Sequence, residues 1–216
     1  EVLEMVVKKS YVLMVILVCM TSVIQSSQKH TLNFVTAYHE AAHSVVAVLL
    51  AERNKRFFLY DTVVFLDASS NQSSSGETRI LPMRSEGLSP QENIESLLCT
   101  IIVWMAGRAA EEMLFNEFGG CSADYSLARH HARELECYVK DYNFVFCFED
   151  LIKDFIGEES SINIRKGMIS DEIIDCCLQV SRQLLDQNKE LLERVAPVLL
   201  DGKRLRAQEV KNILVL

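Results

Sequence analysis

A five-residue segment, His39–His43 with the sequence HEAAH, constrains this chain more than any other feature. It interrupts an apolar run, residues 37–50, that has the length and composition of a buried helix. Polar groups buried in such a helix need partners, because an unpaired histidine or carboxylate in an apolar interior costs several kcal/mol. The fold must therefore bring a metal ion or other polar groups against this helix.

The spacing of the segment favours a metal ion. Residues four apart share one face of a helix and lie about 6 Å apart along its axis, so His39 and His43 can reach the same ion. In the HExxH pattern zinc lowers the pKa of a bound water to about 7, and a carboxylate beside it takes the proton. The segment therefore predicts Zn²⁺ as cofactor, Glu40 as catalytic base and hydrolysis of peptide bonds as the reaction.

A catalytic zinc ion takes three protein ligands and keeps one position open, so a third ligand must come from elsewhere in the chain. Glu111 and Glu112 follow an apolar helical run, and either is a ligand or a solvated or ion-paired carboxylate. Asp124 lies near the start of a helix for which Ser122 is a good N-cap, although the helix dipole alone also favours an acidic residue there. Spacing alone leaves these alternatives open.

Three segments of the chain resemble the hallmark segments of the FtsH-type peptidase domain. They are TAYHEAAH at residues 36–43, AGRAAEE at residues 106–112 and SADYSLA at residues 122–128, and their order and separations also match. The carboxy-terminal stretch is similar to the helical tail of that domain, so the resemblance covers residues 31–216. Ala42 stands where the family motif usually has glycine, a change that a helix tolerates well.

The resemblance implies that Asp124 is the third zinc ligand beside His39 and His43, with Glu40 as the catalytic base. It also implies polypeptide substrates, subunits arranged in hexameric rings, and an AAA-type ATPase module. No GxxxxGK[ST] phosphate loop occurs in these 216 residues, so this chain alone is not expected to hydrolyse ATP.

The expected function is that of a zinc metalloendopeptidase that cuts unfolded or membrane-associated proteins and is coupled to an ATPase. Two alternatives remain: a catalytically idle structural subunit of a protease ring, and an ATP-independent membrane metallopeptidase. The complete set of ligands and base argues against an idle subunit, because such a subunit has no physical need for both.

The patterns predict a mainly α fold: a helical zinc-peptidase domain with a small β-hairpin or sheet beside the metal site and a carboxy-terminal helical hairpin. Two β-branched runs, Asp61–Leu66 and Glu77–Met83, read as short strands joined by a polar loop. Helix spacing begins at Gln91, and a second apolar stripe leads to Pro197, which is expected to begin or kink a further helix. A strand edge next to the metal can hold a substrate in extended form.

Residues 1–30 are expected to form a separate amino-terminal segment, and residues 31–216 the peptidase domain. The uncharged run Tyr11–Ile24 has 14 residues, and as a helix it spans about 21 Å, less than the roughly 30 Å of a bilayer core. It is interpreted as a short membrane anchor or as a linker.

The net charge and the cysteines indicate which classes of partner and which cellular location to expect. The net charge of −8 argues against nucleic acid as a partner. The seven cysteines include no C-x-x-C pair, which is typical of reduced thiols in an intracellular, either soluble or membrane-associated, protein. Cys121 lies three residues before Asp124 and is an alternative soft ligand.

Overall fold

The computed structural model describes residues 33–52, 63–67, 75–78, 87–116, 122–141 and 169–214. Most of these residues are helical, so the predicted mainly α fold is confirmed. In chain order the elements are helix α1 (Asn33–Glu52), strands β1 (Val63–Asp67) and β2 (Ser75–Thr78), helices α2 (Pro90–Phe115), α3 (Ser122–Asp141), α4 (Ser170–Gln187) and α5 (Lys189–Leu200), strand β3 (Leu205–Arg206) and helix α6 (Ala207–Leu214).

Helix α1 is a core helix, because nearly every side chain from Ala37 to Ala51 is buried. With 20 residues and a mean hydropathy of 1.3, it is also the one helix in the described part of the chain that is long and apolar enough to cross a membrane. Yet 72% of that apolar stretch is buried inside the protein, as in the core helix of a soluble domain. Its polar residues therefore face other protein groups.

Helix α2 is the central element and packs against both α3 and α4. Its start is fixed by a capping box: the Glu92 backbone N–H donates to Ser89 Oγ at 3.2 Å, and the Ser89 N–H donates to Glu92 Oε2 at 2.9 Å. Pro90 occupies the first helical turn, where its missing N–H costs nothing. The helix ends at Asn116, which adopts the left-handed conformation with φ 53°.

The three described strands form an antiparallel sheet in the order β2-β1-β3, with Val64 opposite Thr78 and Val63 opposite Arg206. Strand β1 agrees with the predicted first strand to within two residues. Strand β2 begins two residues before the predicted Glu77, and residues 79–83 of that prediction lie outside the described residues. No sequence pattern predicts β3, since two residues are too few to show alternation.

The carboxy-terminal half forms the expected helical pair, α4 and α5, with only Asn188 between the two helices. Their apolar stripe lies in the core with α2, and its buried members include Ile173, Ile174, Cys177, Leu184, Leu185, Leu192 and Val195. Of the two positions expected for Pro197, at the start of a helix or at a kink within one, the structure excludes the first. Pro197 lies inside α5, because that helix has already begun at Lys189.

Several sequence predictions lie outside the described residues. They are the amino-terminal segment 1–30 with its run Tyr11–Ile24, and the proposed soft ligand Cys121. Ser122, predicted as the N-cap of α3, is instead the first residue of that helix, a difference within the usual uncertainty of helix ends.

Candidate metal centre

Three side-chain atoms from two helices converge at one point. His39 and His43 lie one turn apart on α1, and their Nε2 atoms are 3.1 Å from each other. Asp124, in the first turn of α3, places Oδ2 at 2.8 Å from His39 Nε2 and at 3.3 Å from His43 Nε2. Tetrahedral zinc with bonds of about 2.0–2.1 Å requires ligand atoms about 3.3 Å apart. The geometry and the donor set therefore fit zinc.

The outer nitrogens of both imidazoles are held by protein acceptors. His43 Nδ1 donates to the Val103 carbonyl oxygen at 2.7 Å. Since a carbonyl oxygen only accepts, the hydrogen must be on Nδ1, and the Nε2 lone pair points to the centre. His39 Nδ1 donates in the same way to Glu111 Oε1 at 2.7 Å. Both rings are thus fixed in the orientation that a metal ion needs, with Nε2 directed towards the convergence point.

The structure gives different contacts to Glu111 and Glu112, the two glutamates whose roles could not be decided from their spacing. Glu111 is buried and binds the outer nitrogen of His39, so it orients a ring and does not occupy a ligand position. Glu112 accepts hydrogen bonds from Arg108 Nε at 2.8 Å and from Arg182 of α4. It is therefore the ion-paired carboxylate that the sequence analysis offered as the alternative.

Gly107 brings the backbone of α2 directly against the two imidazoles. A Cβ atom at this position would lie 2.5 Å from His39 Nε2 and 2.6 Å from His43 Nε2, far inside van der Waals contact. Only glycine is compatible with this approach of the two helices. Sequence analysis included Gly107 in the AGRAAEE segment but assigned it no role, because the contact is visible only once α1 and α2 are packed together.

Glu40 follows His39 on α1 and is also buried, with 6% of its surface exposed. The Thr78 hydroxyl of β2 donates a hydrogen bond to Glu40 Oε2. On α1 itself, the Ser44 hydroxyl donates to the Glu40 carbonyl oxygen at 3.0 Å. The predicted position of the sheet beside the site is thereby confirmed, whereas Thr78 was not identified from the sequence.

The charges around the centre favour a bound cation. Burial by itself would lower the pKa of His39, but hydrogen bonds to Asp124 and Glu111 outweigh it and raise that pKa to about 10. Burial would raise the pKa of Asp124, yet its bonds to His39 and His43 hold it well below the usual range. A divalent cation held by the three atoms would replace the proton on His39.

Comparisons with known proteins agree with this geometry, although no protein-family model matches the chain. The chain is 30% identical over 207 residues, 88% of its length, to the ATP-dependent zinc metalloprotease FtsH 4 of Sorangium cellulosum. It is 28% identical over 200 residues, 84% of its length, to FtsH 1 of Sphaerobacter thermophilus. It is 24% identical over 181 residues, 82% of its length, to FtsH 2 of Phytoplasma mali.

The chain is related to the FtsH zinc metalloproteases. The resemblance recognised in its sequence is therefore confirmed, and it extends well beyond the three short segments. The FtsH-related chain spans 25–30% of the length of these relatives. Among its described residues, His39, His43 and Asp124 are the one group of His, Cys, Asp and Glu side chains arranged to hold a metal ion.

Proposed function

We propose that this chain is a zinc metalloendopeptidase domain in which His39 Nε2, His43 Nε2 and Asp124 Oδ2 bind one zinc ion and Glu40 is the catalytic base. The observation that carries the proposal is the convergence of these three atoms at 2.8–3.3 Å. The outer nitrogens of both imidazoles are held by Val103 and Glu111, so both inner nitrogens face the convergence point, where a metal ion would replace the proton on His39. The names of the relatives give the same metal and reaction class.

Zinc bound at this site supplies an activated water and polarises a peptide carbonyl. Glu40 accepts the proton of the attacking water at its carboxylate and passes it to the amide nitrogen that leaves. Glu111 keeps the His39 ring oriented and balances its charge, since its carboxylate is buried against that ring. Asp124 is the most exposed of the three proposed ligands, with 16% of its side chain exposed against 8% for His39 and 1% for His43.

The sheet supports the proposed substrate class. Strand β2 is the outer strand of the described sheet, and its Thr78 contacts Glu40, so an extended polypeptide paired with this edge would pass beside the base. Backbone pairing reads no side chains, and the specificity would be broad. This fits unfolded or membrane-associated proteins as substrates.

Coupling to an ATPase and assembly into hexameric rings are part of the same proposal. The relatives are ATP-dependent by name, and this chain spans only 25–30% of their length. An intracellular location is supported by Cys137, Cys176 and Cys177, which form no disulfide bond among the described residues.

The test of the proposal is the Glu40→Gln variant. Gln has nearly the same size but cannot accept the proton, so cleavage of unfolded casein by the zinc-loaded protein should fall by about 10²–10⁴-fold. Zinc content, measured by atomic absorption, should stay at one ion per chain. A zinc-containing variant that cleaves at the wild-type rate would exclude this mechanism.

A second outcome would favour a different function. If the wild-type protein fills its site with zinc and still fails to cleave casein when an FtsH-type ATPase module is supplied, the chain is a structural subunit of a protease ring.

A further inference from the structure

We propose that Thr78 is a positioning residue that fixes the carboxylate of Glu40 for proton transfer; this inference rests on the proposed function. Thr78 is 7% exposed, and its Oγ1 donates to Glu40 Oε2 and lies 3.5 Å from the Glu40 carbonyl oxygen. Among the described residues, it is the one that donates a hydrogen bond to this carboxylate. The contact joins two residues that are 38 positions apart.

The contact matters because a glutamate side chain has three rotatable bonds and a buried carboxylate needs a donor. A hydroxyl bonded to Oε2 holds the side chain in one conformation and leaves Oε1 free to accept a proton. Misplacement of a catalytic group by about 1 Å can cost about 100-fold in rate. Holding the base in a fixed position should therefore increase the rate of cleavage by a measurable factor.

The strand supports the hydroxyl in two ways. Thr78 is paired opposite Val64 of the central strand, so the sheet register sets its position along the site. Its β-branched side chain also has restricted rotation about χ1, which limits where the hydroxyl can point. A residue on β2 is thus able to orient a base on α1.

The first experiment compares Thr78→Val, which removes the hydroxyl but keeps the branched shape, with Thr78→Ser, which keeps the hydroxyl. With zinc-loaded protein and unfolded casein, Thr78→Val should lower kcat by about 10–100-fold with little change in KM or zinc content. Thr78→Ser should recover most of that loss. Equal activity of Thr78→Val and wild type, or equal losses in both variants, would overturn the proposal.

The second experiment does not depend on activity. Thr78→Val should lower the thermal midpoint of the wild-type protein but have a much smaller effect in a Glu40→Ala background, where its partner is already absent. If Thr78→Val lowered the thermal midpoint equally in both backgrounds, Thr78 would not stabilise the protein through Glu40 and the proposal would be wrong. If the wild-type protein is inert towards casein, the proposed function fails, and this comparison alone decides whether Thr78 holds Glu40.

Discussion

Gly107 shows how much of the candidate metal centre depends on one missing side chain. The imidazoles of His39 and His43 lie where its Cβ would be, so α2 supplies bare backbone as one wall of the site. The centre therefore requires glycine at position 107 for steric reasons, and this requirement is independent of helix propensity.

We expect Gly107→Ala to weaken zinc binding by more than about 100-fold, because both inner nitrogens must move to admit the methyl group. In an exposed helix the same change would stabilise the protein by about 1 kcal/mol, because alanine has a higher helix propensity than glycine. Weaker zinc binding by the variant would therefore be due to the steric contact and not to helix propensity. Competition with a chromogenic chelator measures the affinity, and far-UV circular dichroism controls for folding. Wild-type affinity in a folded variant would contradict the contact.

The positions of residues at the candidate centre were predictable where they depend on local spacing. His39 and His43 share a helix face at a separation of four, and Glu40 follows from the same motif. Asp124 was predicted as a ligand only through the family resemblance, because it is 81 positions from His43 in the sequence and spacing cannot show that the two lie close together. The contacts of Glu111, Gly107 and Thr78 depend on how α1, α2 and β2 pack together, and no pattern within one element reveals them.

At the scale of elements, α2 connects the candidate centre to the rest of the core. It carries Gly107 and Glu111 towards α1, while Glu112 points to α4 and pairs with Arg182. Arg108, one turn earlier, completes this ion-paired group. Adjacent residues on one helix therefore serve the site and the packing of the fold separately.

This separation predicts that Glu112→Gln lowers stability without affecting the metal. The Glu112 side chain is 8% exposed, but Arg182 is 42% exposed and partly compensated by solvent, so the expected loss is about 1–2 kcal/mol. Guanidinium unfolding measures it, with the exposed Glu190→Gln as control, for which a change within about 0.5 kcal/mol is expected. A fall in zinc content of folded Glu112→Gln would refute the separation.

Elements were predictable where the signal is long or chemically specific. The regular apolar spacing from Gln91 marks α2 and is a property of the sequence itself, whereas the capping box at Ser89 was found only in the structure. The ends of the strands were less predictable, because they depend on which residues pair across the sheet. Ser75 and Gly76, for example, belong to β2 because they pair with Asp67 and Leu66 of β1. The sequence left open whether Pro197 begins or kinks a helix, because its position within α5 depends on where that helix begins.

For the whole molecule, the candidate centre joins α1 to α3, so we expect zinc binding and folding to be coupled. An ion that binds the folded protein alone stabilises it by about 2.7 kcal/mol at 100 times its Kd. For a chain of this size we expect zinc to raise the thermal midpoint by about 5–10 °C, and a chelator to reverse the rise. Differential scanning calorimetry measures the shift, and Asp124→Ala should show little of it. A midpoint that does not respond to zinc would rule out the coupling.

The distribution of the ligands along the chain also dictates an order of assembly. His39 and His43 come together as soon as one turn of α1 forms, whereas Asp124 reaches them only after a loop of about 80 residues has closed. We therefore expect the two-histidine half of the candidate site to form early in folding and the carboxylate to complete it late. A zinc ion present during folding would meet a weak bidentate site first, and the docking of α3 would then trap it.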